Sequence, residues 1–235
     1  MSGTGKIKKN VEDVYLESLF KAIENVGDCY IHDYYHKDGK RVNFTHVERI
    51  FTYEVYHQWR LLLDKKNESQ GESTTEEPKQ SNTSIDEEVR IDAEIFKDFV
   101  NKNKSKRSYH RFYPDMVLHG GQGDSENNFI VCEFKRMYNI SNKLIIDDLK
   151  KLDLYVDQNT GAGVSDWTPF RYGVFVLIFN NNAGRQCVQE ELYKLFSGSI
   201  RGKIKTIKNQ DKIICYISDG ENFHHDFLCN LINED

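Results

Sequence analysis

The sequence predicts an α/β fold, and three observations carry that expectation. Extended apolar runs alternate with segments whose apolar residues recur at helical spacing. One of those runs, "GVFVLIF" at 173–179, is apolar throughout, as in a strand covered on both faces. The chain is 235 residues long and 38% hydrophobic, which is enough for one sizeable core.

The elements follow in order. Residues 10–26 place Val14, Leu16, Leu19, Phe20, Ile23 and Val26 at mostly helical spacing. Residues 28–44 contain "KDGK", a turn signal between two short extended runs. A helix over 46–63 directs Val47, Ile50, Phe51, Val55, Trp59 and Leu62 toward a core. Three strands are expected at 89–96, 113–119 and 128–135, then a helix over 142–157 and the buried strand 172–179. A helix near 186–197 and a strand at 212–218 close the pattern. Residues 1–45 read as an N-terminal helical and hairpin extension, and 46–235 as the main domain.

The segment 64–88 interrupts that domain. It holds eight acids against three bases, lacks aromatic residues and has one aliphatic, Ile85, so it reads as a disordered acidic insertion. Its excess equals the net charge of the whole chain, −5, which leaves the remainder neutral with clustered bases. The longest apolar run is too short to span a bilayer, and the N-terminus lacks the apolar stretch of a secretory signal, so a cytoplasmic protein with no membrane partner is expected. Five cysteines without C-x-x-C spacing indicate neither a disulfide framework nor a structural zinc site, and most are expected buried and reduced. His224 and His225 read as a surface loop, because adjacent residues of a strand would face opposite ways and make poor joint ligands.

The chemistry concentrates in "RFYPDMVLHGGQGDSENNFIVCEFKR", 111–136. On a strand, Val131, Glu133 and Lys135 share one face, while Ile130, Cys132 and Phe134 share the other. If the two strands pair across the Gly-rich turn, Asp115 approaches Glu133. Two converging carboxylates repel unless a cation lies between them, and their hard oxygens suit Mg²⁺ or Mn²⁺. Lys135 beside them is suited to orient an attacking water and to stabilise charge on a phosphate. The bland alternative is a strand-end acid and a surface ladder of opposite charges. Glu-x-Lys alone is weak, since Glu77-Pro78-Lys79 repeats it inside the insertion; the strand, turn and strand around it give it weight.

This stretch resembles the PD-(D/E)xK nuclease superfamily, with Pro114-Asp115 as the "PD" and Glu133-Phe134-Lys135 as the "ExK". The resemblance implies a restriction endonuclease-like core, a mixed central β-sheet flanked by helices. It further implies a Mg²⁺-dependent endonuclease, with Mn²⁺ as a substitute, in which Asp115 and Glu133 bind the metal and Lys135 positions the water. "TYEVYHQWRLLL" resembles the superfamily's first core helix, which often carries an acid, here Glu54, and "DAEIFKDF" its first core strand, with Glu94 as an extra acid. "DDLKKLDLY" resembles the helix after the ExK strand, with Asp148 and Lys151 at the expected places. Glu54 and Glu94 are each equally consistent with solvated acids.

Two basic clusters are expected to track a nucleic-acid backbone. Lys102, Lys104, Lys106, Arg107 and Arg111 lead into the Asp115 strand, and Arg201, Lys203, Lys205, Lys208 and Lys212 precede the last strand. His119 reads as a turn histidine, with phosphate binding as its alternative. "SGTGK" lacks the G-x-x-x-x-G-K-[ST] spacing of a phosphate loop. The resulting expectation is a DNA endonuclease that admits a homodimer and would serve as an effector in antiviral defence or phage conflict. Its alternative is an inactive nuclease-fold module that binds nucleic acid or a protein partner.

Overall fold

The computed structural model describes residues 11–27, 30, 34–37, 40–43, 48–71, 90–93, 114–120, 128–136, 140–158, 168–179 and 187–233. Within them lie helices α1 (Val11–Glu24), α2 (Glu48–Gly71), α3 (Asn142–Val156), α4 (Val188–Leu195), α5 (Gly198–Ile204) and α6 (Leu228–Asn233). The strands are β1 (Tyr34–Lys37), β2 (Lys40–Asn43), β3 (Arg90–Ala93), β4 (Met116–His119), β5 (Asn128–Arg136), β6 (Tyr172–Ile178), β7 (Ile213–Ser218) and β8 (Phe223–Phe227).

β1 and β2 pair as an antiparallel hairpin, as the "KDGK" turn predicts. The other six strands form one open sheet in chain order, β3-β4-β5-β6-β7-β8. The sheet is mixed: β5, β6 and β7 run parallel, and the pairs β3/β4, β4/β5 and β7/β8 are antiparallel. Helices cover both faces. α1 and α2 pack with Ile130, Cys132 and Phe134, and α3 to α6 pack with Val131 and the alternate residues of β6 and β7. Residues of β5 thus divide between two cores by simple alternation.

The elements form where the residue pattern dictates. β6 is buried from Gly173 to Ile178, because crossover helices leave neither face of a central parallel strand wet. Gly173 lets α3 come close, since a Cβ there would lie 3.2 Å from Leu152 Cβ. α3 begins at Ser141, whose side chain accepts from Leu144 N–H and satisfies one of the unpaired donors of the first turn. On the other face Trp59 is fully buried and donates to Ser18 Oγ at 2.8 Å, while that hydroxyl donates to Tyr15 O. This bond ties α2 to α1, so α1 is part of the core rather than an appendage.

Sequence expectations change at three places. α2 continues through Gly71, so the first eight residues assigned to the insertion are helical; charged, unbranched side chains such as Lys65, Lys66 and Glu68 extend a helix readily. Residues 72–89 lie outside the described set. The helix expected near 186–197 is α4, and a second helix that the sequence did not signal, α5, follows it from Gly198, whose φ of 62° separates the two. His224 and His225 lie on β8 rather than in a loop, the return strand of a hairpin whose turn contains Gly220 at φ 97°. Among the described cysteines Cys132 and Cys215 are buried, Cys229 is half-buried and Cys187 is exposed. No helix among the described residues is long and apolar enough to cross a membrane.

Candidate active site

Strand pairing brings the acids together. Met116 pairs with Cys132, so Asp115, one residue before β4, stands level with Glu133 on β5. Its Oδ2 accepts from the Phe134 N–H at 2.7 Å, a bond that fixes the carboxylate against the next strand. Glu133 is 1% exposed, and its Oε1 has no hydrogen-bond partner among the described residues.

Two lysines thread between three carboxylates. Lys135 Nζ donates to Glu48 Oε1 at 2.7 Å and to Phe134 O at 2.9 Å, and it lies 3.4 Å from Asp148 Oδ2. Lys151 donates to Asp148 Oδ1 and lies 3.7 Å from Glu133 Oε2. The order Glu48, Lys135, Asp148, Lys151, Glu133 therefore alternates in charge along its length. Three elements supply it. The first turn of α2 contributes Glu48, the end of β5 contributes Glu133 and Lys135, and one face of α3 contributes Asp148 and Lys151, three residues apart.

Burial sets the electrostatics. It pushes the Glu133 carboxyl well above its ordinary range, with the Asp115 charge adding to the rise and Lys151 opposing it. Asp115 is also pushed up, mainly by burial, against the opposing Phe134 N–H bond and Lys135. For Lys135 burial acts downward, but the bond to Glu48 and the charges of Asp148, Glu48 and Asp115 outweigh it, so the ammonium is held more firmly than usual. Lys151 is held in the same way by Glu133 and Asp148. Two cations are locked in place, while the two carboxyls at the strand end resist ionisation.

Asp115, Glu133, Lys135, Asp148 and Lys151 are thus brought together. Glu54 is not: it accepts from Gln58 Nε2 at 2.8 Å. The acid that α2 contributes is Glu48, six residues earlier, which at about 100° per residue points roughly 120° away from Glu54 and about 9 Å up the axis. A first-turn acid reads in sequence as complementing the helix dipole, which hid it. His119 contacts Gly120 O and Asp92 Oδ2 through its two ring nitrogens and is tied to β3 instead.

Lys203, Lys205 and Lys208 are exposed, but they precede the N-terminal end of β7, whereas the acids sit at the C-terminal end of β5, which runs parallel to it. The second basic cluster therefore lies at the opposite end of the sheet from the acids. The Lys208 and Asn209 N–H groups bond the Asp153 carboxylate instead, which anchors that loop to α3. Glu94, Lys102, Lys104, Lys106, Arg107 and Arg111 lie outside the described residues.

Among the described residues no group of three His, Cys, Asp or Glu side chains is arranged to hold a metal ion. Asp115 and Glu133 nevertheless offer hard oxygens, one of them buried without a partner, and this donor set fits a divalent cation such as Mg²⁺. Comparison with protein-family models, curated proteins and solved structures finds no match for the chain.

Proposed function

We propose that the protein is a metal-dependent nuclease of the PD-(D/E)xK type, cutting DNA internally. One observation carries the reading: Asp115 and Glu133 converge at a strand end with a buried carboxylate oxygen that lacks any partner, beside a lysine held as a cation. A buried carboxyl oxygen without a hydrogen-bond partner is costly, and a bound cation would complete it. The mixed sheet, with the acids at the junction of its antiparallel and parallel halves, supports a restriction endonuclease-like core.

Asp115 and Glu133 would hold Mg²⁺, or Mn²⁺ in its place, and the bound ion supplies Lewis acidity and a more acidic water. The chain's own groups do the rest. Lys135 spends two of its donors on Glu48 and Phe134 O, and the 3.4 Å approach to Asp148 leaves the third able to turn to a phosphate oxygen or to the attacking water. Glu48 and Asp148 aim that ammonium, and Lys151 balances the charge of Glu133 and Asp148 from α3. This arrangement predicts unequal roles for the two acids of α2. Glu48→Gln lowers cleavage by about 10- to 100-fold, the usual loss for a supporting partner, while Glu54→Gln cuts at the wild-type rate in the same assay.

Plasmid DNA and RNA incubated with the protein in Mg²⁺, Mn²⁺ or EDTA test the reading. Metal-dependent nicking is expected on the plasmid, and no cleavage of either polymer in any condition refutes it. The second reading, a nuclease-fold module without activity, draws on the lysines that already neutralise the acids. Calorimetry separates the two: a nuclease has a Mn²⁺ site that Asp115→Asn removes, and an inactive module shows no site sensitive to Asp115.

A further inference from the structure

Among the described residues the sheet ends at β8. Edge strands are commonly guarded by lysine, proline or a bulge, and "FHHDF" has no lysine or proline and pairs with β7 without interruption. In the turn before it Asp219 N–H bonds Asn222 O, so by antiparallel alternation the main-chain groups of His224 and Asp226 face β7, while those of Phe223, His225 and Phe227 face outward. The Phe227 N–H accordingly bonds the Asp226 carboxylate rather than β7. Phe223 is 47% exposed and stacks on Tyr216 at 5.9 Å, which leaves an aromatic surface along the open edge.

We propose that β8 is a homodimer edge, pairing antiparallel with β8 of a second copy about a two-fold axis through His225. The strand is complementary to itself in that register. His225 meets His225 of the second copy and exchanges two main-chain bonds with it, Phe223 lies opposite Phe227, and each His224 lies opposite an Asp226 on the same face. Tyr193 and Asn230 already hold that carboxylate in place, and its Oδ2 has only a 3.4 Å contact, so it retains acceptor capacity for an imidazole. Moving the axis to the next residue in either sense, a two-residue shift of register, sets Asp226 against Asp226 or His224 against His224, which selects the complementary one.

The contact is small, so dissociation on the order of micromolar is expected. The axis stands perpendicular to the sheet and reverses the second copy's strands. The two acidic sites therefore open at opposite ends of the joined sheet and act independently. Dimerisation is thus separable from the nuclease reading.

Sedimentation velocity from roughly 1 to 100 µM tests the proposal. The wild type shifts from monomer to dimer across that range. His225→Lys, which sets two ammonium groups on the axis, weakens the dimer at least about tenfold with an unchanged circular-dichroism spectrum and an unchanged cleavage rate per chain. In a Cys29→Ser, Cys187→Ser, Cys229→Ser background, His225→Cys forms an intermolecular disulfide on oxidation, because Cα atoms of such a pair lie about 5.5 Å apart, whereas Glu221→Cys in the exposed turn does not. A wild type that remains monomeric throughout, a His225→Lys variant that dimerises like wild type, or equal cross-linking at 221 and 225 overturns it.

Discussion

Lys135→Ala abolishes cleavage and leaves Mn²⁺ affinity nearly intact, whereas Asp115→Asn loses both. The contrast follows from what each group touches. Asp115 presents a carboxylate beside Glu133, so converting it to an amide removes a metal oxygen. Lys135 presents an ammonium fixed by Glu48 at 2.7 Å, and it acts on the phosphate or the water rather than on the ion. Removing one electrostatic donor of this kind typically costs about 10²–10³ in rate, and more when it also positions the nucleophile. Lys135→Ala also strips Glu48 and Asp148 of their shared cation, so stability is measured alongside by thermal unfolding. A folded Lys135→Ala protein that still cuts at the wild-type rate removes Lys135 from the chemistry.

The acidic strand end was legible because strand alternation and antiparallel pairing are short-range rules. Pro114-Asp115 before one apolar run and Glu133-x-Lys135 late in the next suffice to place Asp115 beside Glu133 once the runs pair. Asp148 and Lys151 were reached through family resemblance. Glu48 was not reached, because which acid of a helix enters a site depends on where α2 docks. That docking is set by Trp59, Phe51 and Val55 against the sheet and α1, a tertiary matter the local pattern does not encode. β8 was missed for a similar reason. A five-residue edge strand with half-exposed residues has no buried stripe to mark it, and its partner β7 supplies the order.

Glu133→Gln makes the metal-free protein more stable at neutral pH and reverses that ranking when Mn²⁺ is added. Burial raises the Glu133 carboxyl in the folded state, so its favourable contribution is fully present below the ordinary carboxylate range and is lost as pH rises through the raised value. Above that range the folded wild type must either stay protonated while the unfolded chain ionises freely, or carry a buried charge whose Oε1 has no partner among the described residues. Glutamine does not titrate, so the variant's unfolding free energy changes less with pH, and at neutral pH it exceeds wild type by about 1 kcal/mol or more, which corresponds to about 2–4 °C in Tm per kcal/mol. Asp115, also raised, remains in both proteins and cancels in the comparison. Mn²⁺ then stabilises only the wild type, because an ion that binds the folded state alone raises its stability by mass action. Thermal melts of both proteins across the carboxylate and neutral pH range, with EDTA or with Mn²⁺, measure all four terms. If wild type and variant respond identically to Mn²⁺, the metal does not engage Glu133; if their metal-free melts stay parallel across pH, Glu133 ionises in the folded chain as it does in water.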